Sequence, residues 1–361
     1  MLLGFLLVLG PLVTLHELGH YLVGRVFGVK ANAFSVGFGK ELAGFTDKRG
    51  TRWRLSALPL GGYVQFAGDM NPASQPTDEW LALPQEERER TFQAKKLWQR
   101  ALIVFAGPAT NLLIAILIFA GFAMAYGKPV TPPVIQAFSE DSVAAEAGLE
   151  LGDRIVAIDG SEIDDFEQVS SHVLPFPGQV IDITFEREGR VDTVPVRIAD
   201  LETTDRFGNV SRIGRIGVGS FEREFESTGP FAAIAYGGEA SVGMVRMMIT
   251  GIGQILTGER SVKELGGPIK IAQYSGERLS LGPLPFIEFI AFISINLAFV
   301  NLLPIPALDG GHLAFYAAEA IRRKPASLRS QEWAFRTGMA LVLALMVFVT
   351  ISDIASLPLF N

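Results

Sequence analysis

The stretch Thr14–Gly24, TLHELGHYLVG, carries His16, Glu17 and His20 inside a run that is otherwise apolar from Leu2 to Phe27. On a helix, histidines four residues apart share one face, so His16 and His20 present two imidazoles to one cation. Glu17 sits beside them, placed to act as general base on a metal-bound water instead of ligating the metal. Unpaired ionisable groups are costly within a membrane span, which weighs against a chance pattern of two satisfied histidines. A catalytic zinc needs a third protein ligand and an open position. The chain has no cysteine, so that ligand is a histidine or a carboxylate. His172, Glu288, Asp353, Asp309 and His312 are the candidates. Asp309 is the best choice, because NLLPIPALDGGH (Asn301–His312) ends regular helix at two prolines and frees the backbone with a glycine pair just beyond the carboxylate. Irregular backbone at membrane depth is tolerated only where protein or a watery cavity surrounds it. His312 stands as the competing ligand, with a role outside the coordination sphere the better fit.

Elements that bring these residues together follow from hydropathy. Four runs approach the length a bilayer requires: Leu2–Phe27, Leu97–Tyr126, Leu284–Leu303 and Phe335–Leu357. A hydrophobic share of 49%, only 19% charged residues and a mean hydropathy of +0.32 fit spans joined to a polar module. A net charge of −7 gives no basic surface for nucleic acid. The first run lacks a basic leader and a small-residue cleavage site, so it reads as a span and not as a cleaved signal. Residues 28–97 hold ten Lys/Arg against eight acids, whereas 127–284 hold fourteen against twenty-four. That asymmetry sets the first loop, and the loop from Pro304 to Ala334, on the cytoplasmic side. HELGH then lies toward the same side to which the third span returns just before Asp309.

Between the second and third spans, PVIQAF, DRIVAIDG, VIDITFEREGR and DTVPVRI alternate β-rich runs with turn signals, predicting a small β-rich domain. Ser142–Ala147 reads as a short helix ended by Gly148. Gly229–Gly258 is apolar but interrupted by Glu239 and Arg246, which predicts an interfacial amphipathic helix instead of a fifth span. Asp78–Ala101 mixes charge with helical spacing and reads as a solvated cytoplasmic helix leading into the second span. Arg52–Phe66 alternates like a strand, is broken by Gly61 and Gly62, and offers a free edge to an extended peptide.

HExxH in the first span and NxxPxPxLDG after the third resemble the site-2 proteases, intramembrane zinc metalloproteases. The resemblance runs nearly end to end through FSVGFGKEL (Phe34–Leu42), LPLGGYVQFAGD (Leu58–Asp69), GPATN (Gly107–Asn111), a PDZ-like Ala147–Gly160 and ELGGPIKIA (Glu264–Ala272). It resembles the bacterial, sigma-E-regulating branch, whose best-known members carry two PDZ domains where this chain has room for one. The resemblance implies a polytopic α-helical membrane protein of four transmembrane helices, with a membrane-associated β-hairpin or sheet and an inserted extracytoplasmic PDZ domain. The expected segments are 1–27, 97–126, 284–303 and 335–361 for the spans. Residues 28–96 form the cytoplasmic β region, 127–222 the PDZ domain, 223–283 an amphipathic periplasmic region and 304–334 the LDG motif and loop. It implies Zn2+ held by His16, His20 and Asp309, with Glu17 as acid and base. Asn296 and Asn301, with Gly61, Gly62 and Tyr63, are expected to bind unwound substrate. The implied partners are membrane lipid and single-pass membrane proteins, of anti-sigma-factor type or remnant signal peptides, in a bacterial inner membrane with the site toward the cytoplasm. A competing class is an inactive membrane-tethered PDZ adaptor, which would bind without producing fragments and leaves Glu17 and Asp309 idle.

Overall fold

The computed structural model describes residues 1–68, 80, 82–204, 210–222, 224–262, 266–324 and 327–355. Asp69, the start of the Asp78–Ala101 segment together with Leu81, and Glu264 and Leu265 of the ELGGPIKIA motif lie outside the described residues. The chain forms two compact units, residues 1–118 with 266–353, and residues 119–265 with 354–361.

In the first unit, α1 (Leu2–Val26) carries HELGH in its C-terminal half. After it, β1 (Ala31–Thr46) and β2 (Arg52–Phe66) each bend, so that two strands supply four aligned segments. Residues 31–36 lie between 62–66, with Phe34 opposite Val64, and 52–55, with Ala33 opposite Arg52; residues 41–46 pair with 52–56 on the far side. The segment 62–66 is therefore an outer one. It runs beside α1 at close quarters, since a Cβ on Gly62 would lie 3.7 Å from Thr14 Oγ1 and one on Gly24 would meet the Phe66 ring at 2.5 Å.

The expected Asp78–Ala101 helix is not continuous. α2 covers only Gln85–Glu89, and residues 90–96 turn before α3 (Leu97–Tyr126) begins. Burial of Phe92 explains the break: its ring stacks on Phe66 with centroids 6.0 Å apart, and its N–H donates to the Ala67 carbonyl. A straight helix would carry that ring away from the core it fills with Tyr21, Phe34, Ile103 and Tyr316.

The second unit holds the last turns of α3 and the inserted chain. β3 (Lys128–Val130) and β4 (Ala137–Phe138) lead to α4 (Val143–Glu146), where Ser142 caps the helix by accepting from Ala145 N–H and Gly148 takes φ +98°, as expected. β5 (Arg154–Ile158), β6 (Ser161–Glu162), α5 (Phe166–Val173), β7 (Val180–Arg187) and β8 (Arg190–Arg197) follow, and their sheet has the order β6-β5-β7-β8. Alternation along β7 turns Ile181, Ile183 and Phe185 inward onto Ile135, Ile155, Ile158, Val196 and Ile198. Each such aliphatic side chain stabilises the module by about 1.5–3 kcal/mol. β9 (Ala199–Thr204) pairs with β10 (Val210–Arg215), β11 (Val218–Gly219) with β4, and β12 (Glu224–Glu226) with β3.

α6 (Pro230–Thr257) then runs unbroken for 28 residues. Glu239 and Arg246 interrupt its hydropathy but not its backbone bonding. The sequence predicted four helices of spanning length; among the described residues five are long and apolar enough to cross a membrane, α6 among them. Ala233 packs on Ala120 and Ala123 of α3, and Gln254 Nε2 donates to the Pro175 carbonyl of the β module.

Returning to the first unit, α7 (Pro268–Ser280), α8 (Pro283–Leu302), α9 (Asp309–Arg322) and α10 (Leu328–Ala355) complete the chain. Residues 304–334 are thus no simple loop. The backbone is irregular over 303–308, where Ala307 takes φ +91°, while Gly310 and Gly311 are helical. Close approach, not conformational freedom, demands this glycine pair: a Cβ on Gly310 would collide with the Leu302 and Leu303 carbonyls and one on Gly311 with that of Ile305.

Candidate metal centre

α1 places His16 and His20 on one face, and the start of α9 points Asp309 at them. His16 Nε2 lies 3.2 Å from His20 Nε2 and 3.1 Å from Asp309 Oδ2, and the third separation, His20 Nε2 to Asp309 Oδ2, is 3.6 Å. Bonds of 2.0–2.1 Å to a tetrahedral zinc would set ligand atoms about 3.3 Å apart. The three atoms therefore sit near the corners of one face of such a tetrahedron. Asp309 Oδ2 is buried without a hydrogen-bond donor, an arrangement a cation would satisfy. Among the described residues these three form the one group of histidines and acids gathered closely enough to hold a metal.

Second contacts fix the rings. His20 Nδ1 donates to the Ile103 carbonyl at 2.8 Å, which leaves Nε2 with its lone pair toward Asp309. His16 Nδ1 lies 3.2 Å from the Asn111 amide, whose other polar atom, Oδ1, is buried without a partner. With His16 Nε2 kept free for a metal, Nδ1 carries the proton and the amide turns its oxygen to it. Ser294 Oγ donates to the Asn111 carbonyl at 2.7 Å and ties α3 to α8 at this level. Gly107 leaves the rings their room, because a Cβ there would come within 2.7 Å of His16 Nε2. Sequence reasoning gave Gly107, Ile103 and Asn111 no role. The available signal was GPATN, a polar patch inside an apolar helix.

The cluster opens on a cavity of about 300 Å³ lined by Glu17, Val64, Phe66, Asn301 and His312 as well as the three ligand candidates. Glu17 is half-buried and its Oε2 accepts from Val64 N–H at 3.1 Å. Asn301 is a lining residue. Asn296 is half-buried on α8 and is not. Gly61, Gly62 and Tyr63 do not line the cavity either; Val64 and Phe66, further along the same segment, do. His312 shares the cavity but not the metal-competent group.

The arrangement of two imidazoles, a carboxylate and an adjacent glutamate matches what known proteins of similar sequence are named for. A protein of Agrobacterium fabrum named "Putative zinc metalloprotease" is 47% identical over 98% of this chain and 95% of its own length. A Mesorhizobium japonicum protein of the same name is 41% identical over 98% of both chains. The metalloprotease MmpA of Caulobacter vibrioides is 34% identical over 100% of this chain and 97% of its own. Among solved structures, a PDZ domain from Listeria monocytogenes aligns with 24% of this chain and 84% of its own at 18% identity, with a TM-score of 0.19, too low to equate the folds. The family model of Peptidase family M50 matches residues 4–345. The chain belongs to Peptidase family M50, the site-2 protease family.

Proposed function

We propose that this protein is an intramembrane zinc metalloendopeptidase that cleaves transmembrane segments of membrane proteins whose outer part has already been trimmed. The convergence of His16 Nε2, His20 Nε2 and Asp309 Oδ2 within 3.1–3.6 Å, with Glu17 in the same cavity, carries this reading. His16, His20 and Asp309 would hold the zinc, which when bound would supply Lewis-acid polarisation of a carbonyl and a lowered pKa for water. Glu17 takes the proton of the attacking water and returns it to the leaving amine. A transmembrane helix shields its peptide bonds by internal pairing, so the segment must first unwind. The outer segment 62–66 of β2 offers backbone partners to the unwound chain, and the Asn301 amide offers a side-chain one. Asn296, half-buried on α8 and outside the cavity lining, is assigned to substrate contact by family resemblance alone.

Four crossings fit the first unit better than five. Ile114, near where the chain leaves this unit, and Ile271, just after it returns, pack in one cluster with Val8, Leu12 and Phe286. At that same end, Gly267 and Lys270 N–H donate to Asp353 on α10 at 3.1 Å each. Glu239 and Arg246 along α6 favour reading it as an interfacial helix and not as a fifth crossing. We read the β module as a single periplasmic PDZ domain. The site then faces the cytoplasm from a bacterial inner membrane. Anti-sigma-factor-type proteins and remnant signal peptides are the substrate classes this topology suits.

Glu17→Gln is expected to abolish cleavage of a transmembrane reporter while retaining about one zinc per chain. Wild-type turnover in that variant would refute the assigned base.

A further inference from the structure

Val64 joins the strand to the general base. It sits in the outer segment of β2, opposite Phe34, between two pairs, Ser35 with Tyr63 and Ala33 with Gln65. Successive residues of a strand point their backbone groups to opposite sides. The Val64 N–H points away from β1, since it donates to Glu17 Oε2 at 3.1 Å; its carbonyl faces the same way. Val64 therefore offers a donor and an acceptor on the side of the strand where a pairing peptide would lie, within the cavity that holds His16, His20 and Asp309. The donor is already engaged by the carboxylate that must accept a proton from water.

We propose that the Val64 amide is a shared donor: it holds the Glu17 carboxylate until an unwound peptide pairs with residues 62–66, whereupon a peptide carbonyl takes the amide and Glu17 is released to the attacking water. The proposal rests on the protease reading above and adds a positioning role for a backbone group. It couples general-base readiness to correct strand pairing, so solvent in the cavity meets a free Glu17 only when a substrate is in register. One hydrogen bond is exchanged for another, from the carboxylate to a peptide carbonyl, and no bond or proton is left unbalanced.

The test replaces the Val64 N–H by an ester oxygen in the full-length, zinc-loaded protein, with Val64→Ile as a control that keeps the amide. Because this N–H lies outside the ladder of β1, the strand should persist, and Val64→Pro, tolerated at outer strand positions, serves as a second amide-free form. Shared donation predicts a KM for a transmembrane reporter raised about five- to tenfold, with kcat unchanged or slightly raised and zinc content unaltered. A fall in kcat at constant KM would show that the amide only orients Glu17, and would overturn the exchange. Unchanged kinetics in both amide-free forms would overturn it as well. Neither outcome touches the protease reading, which falls only if Glu17→Gln still cleaves.

Discussion

Asp153 in the second unit and Asp309 in the first are both carboxylates drawn away from water, and their surroundings differ in kind. Asp153 is fully buried and saturated: Arg187 Nε and Nη2 each donate to it at 2.7 Å, and Glu150 N–H donates at 2.8 Å. Arg187 is itself held by Glu150 at 2.9 Å and by the Gly148 carbonyl, so the pair pins the turn after α4 to the end of β7. Asp309 has no such donors on Oδ2, only two imidazole nitrogens aimed at the same point. A carboxylate that serves the fold is satisfied by the fold. One that serves a cation is left unsatisfied by protein and costs stability until the cation arrives. Asp353 belongs with Asp153, accepting from two backbone amides at the start of α7.

Substitution of the two residues should separate these roles. Asp309→Asn is expected to lower cleavage by at least a thousandfold and to lower zinc content, with the metal-free protein as stable as metal-free wild type; retained zinc would transfer the ligand role to His312. Asp153→Ala should do the opposite. By stranding the Arg187 guanidinium it should destabilise the β module by about 3 kcal/mol, read as an earlier unfolding transition, while zinc content stays at wild-type level. Asn111→Ala sharpens the contrast from the metal side. Losing the partner of His16 Nδ1 should weaken zinc affinity about 10- to 100-fold, measurable by competition with a chelator, with little change in fold.

Acid gives the smallest and most selective effect. Burial alone would push the Asp153 carboxyl up, but the hydrogen bonds and charge of Arg187 outweigh it and hold the group below the ordinary carboxylate range. A carboxyl lowered on folding contributes stability that is complete above its unfolded value, about 3.9, and is lost as pH falls through the folded value. The stability difference between wild type and Asp153→Asn should therefore hold constant from pH 7 to about 5 and shrink below 4. A difference that grows on acidification would contradict the assigned pair.

Some of this contrast is legible in the residues. HELGH and NLLPIPALDGGH name the metal-competent set, because imidazoles four apart on a helix and a carboxylate beyond a helix-breaking proline pair are local patterns. Strand alternation likewise outlines β2, β5, β7 and β8, and the Ser142 cap and Gly148 turn follow from short-range chemistry. The break before α3 was not legible, since Phe92 leaves its helical pattern only to reach Phe66, which lies far off in sequence. Gly310 and Gly311 read as flexible and prove to be close-packed, a distinction that depends on the Leu302, Leu303 and Ile305 carbonyls lying against them.

By itself the sequence determined which side chains could bind a metal and which stretches are apolar enough to lie in a bilayer, because both depend on residue type and spacing along one element. Only the tertiary structure decided that Asn111 and Ile103 aim the two imidazoles, that Gly107 makes room for them, and that the Val64 amide meets Glu17. These contacts join α1 to α3 and β2, and their existence depends on distances across the fold that no local periodicity encodes.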